Sequence, residues 1–245
     1  MTISLAIAGA NGRMGAALLA AADKDSRFSI AGSSMRGTSV QSAAANADVW
    51  IDFTTPEATL AALDALPQTK VRAAIIGTTG LSAEQNARIG EAAKRIAIVY
   101  SGNFSLGVNL LAALVREAAQ RLGTEWDIEI VEAHHRRKVD APSGTALMLG
   151  DAAASGRNVR LNDVRIASRD GLTGLRPAGG IAITSLRGGG IVGEHDVIFA
   201  GEREVVTLSH KALDRALFAD GALAAAAWAA NQPPGLYTMK DVLGL

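Results

Sequence analysis

The chain has 245 residues, of which 49% are hydrophobic and 20% are charged, so it is long enough for one or two domains with sizeable cores. Its 24 Lys and Arg residues equal its 24 Asp and Glu residues, and this balance argues against nucleic acid or a membrane surface as a partner. The chain has no cysteine, which excludes disulfides, thiolate metal sites and cysteine nucleophiles.

Short apolar runs alternate with helix-like stretches in the first part of the chain. We predict buried strands at residues 3–8, 28–31, 49–53, 73–76 and 96–100, and helices at residues 14–22, 57–66 and 82–93. Ser82 and Gln85 have the spacing of a capping box at the start of the third helix. Strands that alternate with helices form a parallel sheet with both faces covered. The sequence therefore predicts an α/β fold with a doubly wound, Rossmann-type domain.

After residue 104 the pattern changes to strands in which apolar and polar residues alternate. We predict helices at residues 108–122, from Ser143 onward and at 213–230, and strands at residues 128–132, 164–167, 181–186, 192–200 and 204–209. The glycine-rich segment 169–180 is expected to be a loop. Alternation is typical of an antiparallel sheet with one face packed on a core. This part therefore indicates an α+β domain with an open mixed or antiparallel sheet.

A glycine-rich turn follows the first predicted strand and opens the first predicted helix. Glycine permits a tight turn and close approach of the backbone, and the N–H groups at a helix start suit a pyrophosphate. Two further loops follow predicted strands on the same side of the sheet. The expected cofactor site comprises Gly9, Ala10, Asn11, Gly12, Arg13 and Met14, then Gly77, Thr78 and Thr79, then Ser101, Gly102, Asn103 and Phe104. The alternative is that these segments are ordinary connecting turns.

The end of the second strand is where the choice between NADH and NADPH is expected to be made. Enzymes that use NAD usually carry an acid there, about 20 residues after the glycines, that bonds the ribose hydroxyl. This chain instead has Ser33, Ser34, Met35 and Arg36. A guanidinium and hydroxyls suit a 2′-phosphate, so we expect NADPH to be preferred, with NADH possible. The alternative for Arg36 is a solvated surface charge.

The densest group of chemically active side chains lies at residues 132–146. It includes the adjacent histidines His134 and His135 at the end of a predicted strand. Because neighbouring strand residues point to opposite faces, the two are poor joint metal ligands, and we expect no metal site.

The same run reads E-x-H-H-x-x-K-x-D-A-P-S-G-T-A and resembles the signature of the 4-hydroxy-tetrahydrodipicolinate reductase family. The resemblance extends over most of the chain, through residues 9–15, 52–54, 77–80, 103–105, 190–195 and 209–211. It implies hydride transfer from a nicotinamide to the carbon–nitrogen double bond of a cyclic dicarboxylate, in diaminopimelate and lysine biosynthesis. It also implies a dinucleotide-binding domain at residues 1–104 and 215–245, a substrate-binding and oligomerisation domain at 105–214, and a homotetramer.

By this resemblance His134 is the catalytic acid/base and Lys138 a proton donor. His135 is implied to contact the substrate, and the amides of Gly144 and Thr145 to bind a carboxylate. These roles are chemically reasonable, because hydride addition leaves charge that a positioned acid neutralises. A helix start likewise offers N–H groups to a carboxylate. His195 and His210 are left without a role.

Two departures from the family pattern and two alternatives remain. Met35 stands where an acid often meets the adenosine ribose, and the segment 154–181 is shorter than in longer members. The first alternative is another two-domain NADP-dependent dehydrogenase, and the second is a non-catalytic dinucleotide-binding sensor.

The start of the chain lacks the basic segment of a signal peptide, and no apolar run reaches the ~18 residues of a membrane span. We therefore expect a soluble protein of the cytoplasm.

Overall fold

The computed structural model describes residues 2–35, 37–166 and 169–245. In chain order the strands are β1 (Ile3–Ala8), β2 (Phe28–Ser34), β3 (Val49–Asp52), β4 (Ala73–Ile76), β5 (Ala97–Tyr100), β6 (Asp127–His134), β7 (Arg165–Ile166), β8 (Ile181–Arg187), β9 (Gly193–Ala200), β10 (Val205–Ala212) and β11 (Gly235–Tyr237). The α-helices are α1 (Arg13–Ala22), α2 (Val40–Ala44), α3 (Pro56–Ala65), α4 (Ala83–Ala92), α5 (Leu106–Leu122), α6 (Gly144–Gly156), α7 (Leu161–Val164), α8 (Leu217–Ala229) and α9 (Met239–Leu243).

The chain divides into two compact units. The first comprises the chain up to Leu106 together with Ala216–Leu245, and the second is Gly107–Arg215. The expected boundaries, 104/105 and 214/215, lie one or two residues from these positions. Among the helices that the structure describes, none has both the length and the apolar character needed to span a membrane.

The first unit is built on a parallel sheet of six strands in the order β11-β5-β4-β3-β1-β2. Successive residues of its strands bury on opposite faces, as Leu5 and Ala6 do on β1. One face packs against α1 and α8, and the other against α2, α3 and α4. The predicted Rossmann-type architecture is confirmed, and the Ser82–Gln85 capping box is present at α4.

The helix α8 returns the chain to the first unit and packs closely because its buried face is made of small residues. A Cβ atom on Gly221 would overlap the carbonyl oxygen of Phe104, so no larger residue fits there without movement. After Pro233 and Pro234 the chain adds β11 at the edge of the sheet and ends with α9. Neither β11 nor α9 was predicted, because three and five residues are too few to show a periodic sequence pattern.

The second unit holds a five-stranded mixed sheet in the order β10-β9-β6-β8-β7. The pairs β6–β9 and β9–β10 are antiparallel, whereas β6–β8 and β7–β8 are parallel. The expectation of a mixed or antiparallel sheet is confirmed in its mixed form, because the long connection from β6 to β8 carries α6 and α7 across the sheet and restores the strand direction. One face packs against α5 and α6. The last residue of the predicted strand 164–167 lies outside the described residues.

Candidate active site and dinucleotide cradle

The glycine turn lies between β1 and α1, at the carboxyl edge of the parallel sheet. Gly9 has a φ of +65°, a conformation that side chains disfavour. A Cβ atom on Gly15 would overlap the Gly9 carbonyl oxygen and lie 2.7 Å from the Cα of Ala10. The helix start is thus pressed against the turn, and Gly12 caps it without a side-chain hydrogen bond. Backbone N–H groups and the positive end of the helix are what a pyrophosphate requires, so this turn fits one.

The other predicted cofactor loops follow neighbouring strands at the same edge. The N–H of Gly77 donates to the carbonyl of Asp52 at 2.8 Å, which joins the loops after β4 and β3. The ring centroids of Phe53 and Phe104 lie 5.1 Å apart in an edge-to-face contact, which joins the loops after β3 and β5. We refer to residues 9–14, 53–54, 77–79 and 101–104 together as the dinucleotide cradle.

The end of β2 borders the cradle. The carbonyl of Ser34 accepts hydrogen bonds from the N–H groups of Gly9 at 2.9 Å and Ala10 at 3.3 Å. Met35 is about half exposed, at 48%. Arg36, the residue expected to bind a 2′-phosphate, lies outside the described residues.

A buried carboxylate organises the second candidate site, in the other unit. Glu132, on β6, has no solvent exposure. Oε2 lies 2.6 Å from Nδ1 of His134, and Oε1 accepts the Ser143 N–H at 3.1 Å. Arg187, at the end of the adjacent strand β8, donates to both oxygens at 2.8 and 2.7 Å. Burial alone would raise the pKa of Glu132, but hydrogen bonds from Arg187, Ser185, His134 and Ser143 outweigh it and lower the pKa to about 2.

The imidazole of His134 is held in one orientation. Its Nδ1 bonds Glu132, and its ring contacts that of His195 edge-to-face with centroids 5.2 Å apart. Nε2 faces Gly193, where a Cβ atom would lie only 3.0 Å away. When Nδ1 carries the proton that Glu132 accepts, Nε2 is the nitrogen that exchanges protons with a ligand. The arrangement therefore suits a general acid/base.

His195 is buried and connects this pair to the start of α6. Its Nε2 lies 3.2 Å from the hydroxyl of Ser143. Burial lowers the pKa of His195 to about 4, and the neighbouring His134 adds to the effect, so His195 is neutral near pH 7. The Ser143 hydroxyl caps α6 by accepting the N–H of Ala146 at 3.1 Å. The first helical positions, Gly144 and Thr145, are thus fixed beside the Glu132–His134 pair.

Lys138 lies on the loop between β6 and α6. Its Nζ is 2.9 Å from the carboxylate of Asp140, and its side chain is 21% exposed. The carbonyl of Asp140 accepts a hydrogen bond from Arg187 at 2.7 Å. Lys138 is therefore connected through Asp140 and Arg187 to Glu132.

His135 immediately follows the end of β6 and bonds a different partner from His134. Its Nε2 lies 2.9 Å from the guanidinium of Arg215. Desolvation and the positive charges of Arg215 and Arg137 lower the pKa of His135. A neutral imidazole beside a guanidinium offers a polar surface that suits an anion.

Several of these participants, among them Glu132, Arg187 and Arg215, received no role from the sequence. Glu132 could have been found, because it lies two positions before His134 on one strand and so shares its face. Arg187 and Arg215 could not, because they are 55 and 80 residues from their partners Glu132 and His135. Only the fold brings them together.

Comparison with known proteins assigns both halves of the chain. Residues 3–104 match the family model described as "Dihydrodipicolinate reductase, N-terminus", and residues 107–243 match "Dihydrodipicolinate reductase, C-terminus". The chain belongs to the dihydrodipicolinate reductase family. Family membership confirms the resemblance found in residues 132–146, and the nicotinamide dinucleotide is the cofactor of this oxidoreductase family.

Relatives in this reductase family match over nearly their whole length. A 4-hydroxy-tetrahydrodipicolinate reductase from Caulobacter vibrioides is 54% identical over 250 residues, covering 99% of this chain and 97% of the relative. One from Rhizobium rhizogenes is 49% identical over 267 residues, covering 99% and 97%. Among solved structures, the dipicolinate-bound dihydrodipicolinate reductase from Paenisporosarcina sp. TG-14 is 26% identical, with a TM-score of 0.76 and coverage of 97% and 98%.

Proposed function

We propose that this protein reduces 4-hydroxy-tetrahydrodipicolinate, via dihydrodipicolinate, to tetrahydrodipicolinate in diaminopimelate and lysine biosynthesis. The relatives from Caulobacter and Rhizobium carry the name of this activity. The observation that carries the proposal is the buried Glu132–His134 pair beside the start of α6, because it combines an oriented acid/base with a position for an anion. A catalytically inactive sensor has no need of that arrangement.

The first unit is proposed to bind the dinucleotide in its cradle, with the turn at Gly9 and Gly12 against the pyrophosphate. When bound, the reduced nicotinamide supplies the hydride. The loops that begin at Gly77 and Ser101 would hold the dinucleotide at the carboxyl ends of β4 and β5, which is where ligands of open parallel sheets bind.

His134 and Lys138 are proposed to handle protons in the second unit. Hydride addition to a carbon–nitrogen double bond leaves an electron pair on the ring nitrogen or its conjugated system, and a nearby acid neutralises it. The Glu132 carboxylate holds Nδ1 of His134 and so leaves Nε2, beside Gly193, to exchange a proton with the substrate. Lys138 lies on the loop that follows β6, and its ammonium group can either give a proton or attract an anionic substrate.

The substrate carboxylates are proposed to bind the N–H groups of Gly144 and Thr145 at the positive end of α6 and the side chains of His135 and Lys138. The helix has 13 residues, so its dipole is well developed at this end. The solved relative from Paenisporosarcina holds dipicolinate, which is itself a cyclic dicarboxylate. An anion at this place would also compete with Asp140 for the ammonium of Lys138.

NADPH is proposed as the preferred cofactor, with NADH as the weaker one. The end of β2 beside the cradle carries the hydroxyls of Ser33 and Ser34, and no acid stands at residues 33–36 to repel a 2′-phosphate. Arg36, two positions after Ser34 in the sequence, is proposed to supply the positive charge.

We propose a homotetramer assembled through the second unit. The strand β10 lies at the edge of the mixed sheet, where Val205 is 60% exposed. The segment 169–180 carries Leu172 and Leu175 fully exposed and is fixed to β6 by Arg176, which bonds Asp127 and Glu129. Exposed apolar side chains on an anchored loop and an open sheet edge favour association.

The reaction belongs to biosynthesis with reduced nicotinamide, so the proposed location is the cytoplasm.

The proposed reaction is tested by coupling the protein to the preceding synthase, which makes the unstable substrate from pyruvate and aspartate semialdehyde. Loss of NADPH absorbance that requires both the synthase and this protein supports the proposal. A folded protein that binds NADPH but never oxidises it in this mixture would instead support the sensor.

A further inference from the structure

An unusual carboxylate lies beneath the dinucleotide cradle. Asp52 is the last residue of β3, a central strand of the parallel sheet, and is 1% exposed. Such strands are normally apolar throughout, and Asp is rarely buried without a partner. The residue has no place in the proton chemistry proposed above, because it lies in the first unit.

One oxygen of Asp52 connects two loops of the cradle. Oδ1 accepts the N–H of Thr54 at 3.0 Å and its hydroxyl at 2.5 Å, and also the hydroxyl of Thr78 at 3.3 Å. The Thr78 hydroxyl in turn accepts the Thr54 N–H at 3.1 Å and the hydroxyl of Thr59, on α3, at 2.8 Å. The loops after β3 and β4 are therefore fixed to each other through a single carboxylate oxygen.

The same network reaches the glycine turn. A Cβ atom on Gly9 would lie 2.8 Å from the Cγ2 methyl of Thr54, so this methyl rests against the Gly9 backbone. The hydroxyl on the other branch of Thr54 is held by Asp52. Because threonine is stiff at χ1, fixing its hydroxyl also fixes its methyl. Asp52 thereby determines what the turn after β1 packs against.

The other oxygen shows that this arrangement is not optimal for stability. Oδ2 of Asp52 is buried and makes no hydrogen bond within the described part of the chain. An unsatisfied buried carboxylate oxygen is unfavourable, and an apolar residue would suit a central strand better. Because Asp52 lowers stability at this position, we expect it to serve the function of the dinucleotide cradle.

We propose that Asp52 is a positioning residue for dinucleotide binding, which holds Thr54 and Thr78 so that three loops of the cradle keep one shape. This inference rests on the proposed function, in that the first unit binds the dinucleotide. Loss of the carboxylate releases Thr54 from Gly9 and Thr78 from β3, and the cofactor must then order these loops when it binds.

The test measures NADPH affinity by fluorescence titration of the whole protein without substrate. Asp52→Ala is expected to weaken the Kd by on the order of tenfold or more, because hydrogen bonds to a charged group are lost. Asp52→Asn keeps an acceptor oxygen at the Oδ1 position and is expected to restore most of the affinity. Should Asp52→Ala fail to fold, Thr54→Val replaces it, since it loses the hydroxyl but keeps the methyl on Gly9. It is expected to weaken the Kd by roughly fivefold.

Asp48→Asn is the matched control. Asp48 precedes the same strand at the opposite edge of the sheet and accepts the N–H and the hydroxyl of Ser4 at 2.9 and 2.6 Å. This variant is expected to lose stability but to keep the wild-type Kd. A wild-type Kd for NADPH in Asp52→Ala and Thr54→Val would overturn the inference about Asp52. A Kd that is weakened equally in Asp48→Asn would do the same. Either result would leave the proposed function standing. A wild-type protein that binds neither NADPH nor NADH overturns the proposed function as well.

Discussion

Glu132 and His134 lie two positions apart on β6, and their side chains meet with 2.6 Å between a carboxylate oxygen and Nδ1. The carboxylate is fully buried and is also held by both terminal nitrogens of Arg187. The side chain of His134 on β6 is thus oriented as an acid/base before any ligand binds.

His134→Gln removes the proposed acid while keeping a polar side chain of similar length. We expect kcat to fall by about 10²- to 10⁴-fold, the usual contribution of a general acid. The Kd for NADPH should stay within error, because His134 and the dinucleotide cradle belong to different units. Steady-state rates and a fluorescence titration check both parts. Turnover like that of the wild type would remove His134 from the mechanism.

The low pKa of Glu132 makes stability depend on pH. The pKa of Glu132 is about 2 in the folded protein, against 4.5 for an unperturbed glutamate side chain. The folded state therefore binds the proton less readily than the unfolded state. The stabilisation is complete above pH 4.5 and is lost as the pH falls towards 2. Its size is about 3 kcal/mol in the free energy of unfolding.

Urea unfolding of the wild type and of Glu132→Gln checks this dependence. The wild type should be the more stable at pH 5.5, and the difference should shrink as the pH falls below 4.5. Both proteins contain the other carboxylates, so taking the difference in the free energy of unfolding between them at each pH cancels the titration of those groups. A difference that stays constant down to pH 3 would mean that the ionised form of Glu132 adds no stability.

Lys138→Ala removes the ammonium that is proposed both to attract the dicarboxylate and to give a proton. We expect KM for the substrate to rise and kcat to fall, each on the order of tenfold. Lys94→Ala is the matched control, because Lys94, just after the end of α4, also pairs with an acid, Glu91, at 2.7 Å, but both side chains are exposed. The control should behave as wild type, and a Lys138 variant impaired in neither constant refutes the proposed role.

The sequence at the end of β2 predicts the cofactor preference. NADPH should show the lower KM, and Arg36→Ala should raise KM for NADPH while leaving that for NADH nearly unchanged, because only NADPH carries the 2′-phosphate. Initial rates with each cofactor at saturating substrate are sufficient. Equal efficiency of the wild type with the two cofactors would contradict the proposal.

The first unit could be predicted closely because local patterns specify it. The runs at residues 5–8 and Ala73–Ile76 are continuous and apolar, so burial on both faces can be read from single segments. The short helix α2 and the strand β11 escaped prediction, since five and three residues are too few for a periodic pattern.

The second unit was harder because its directions and contacts depend on distant segments. Alternating burial on β9 correctly indicates one packed face. The same alternation cannot tell whether β6 and β8 run parallel. The glutamate of the Glu132–His134 pair was visible in the sequence, but Arg187, which completes it, comes from that parallel neighbour.

The most direct test follows the hydride itself. The protein is supplied with NADPH carrying deuterium at the transferable position of the nicotinamide and with substrate made in place by the synthase, and the products are analysed by mass spectrometry. We predict tetrahydrodipicolinate whose mass is raised by the replacement of one hydrogen with deuterium, and at least about 100-fold less labelled product when His134→Gln replaces the wild type at equal reaction time. Unlabelled tetrahydrodipicolinate, or none from a wild-type protein that binds NADPH, would contradict the account.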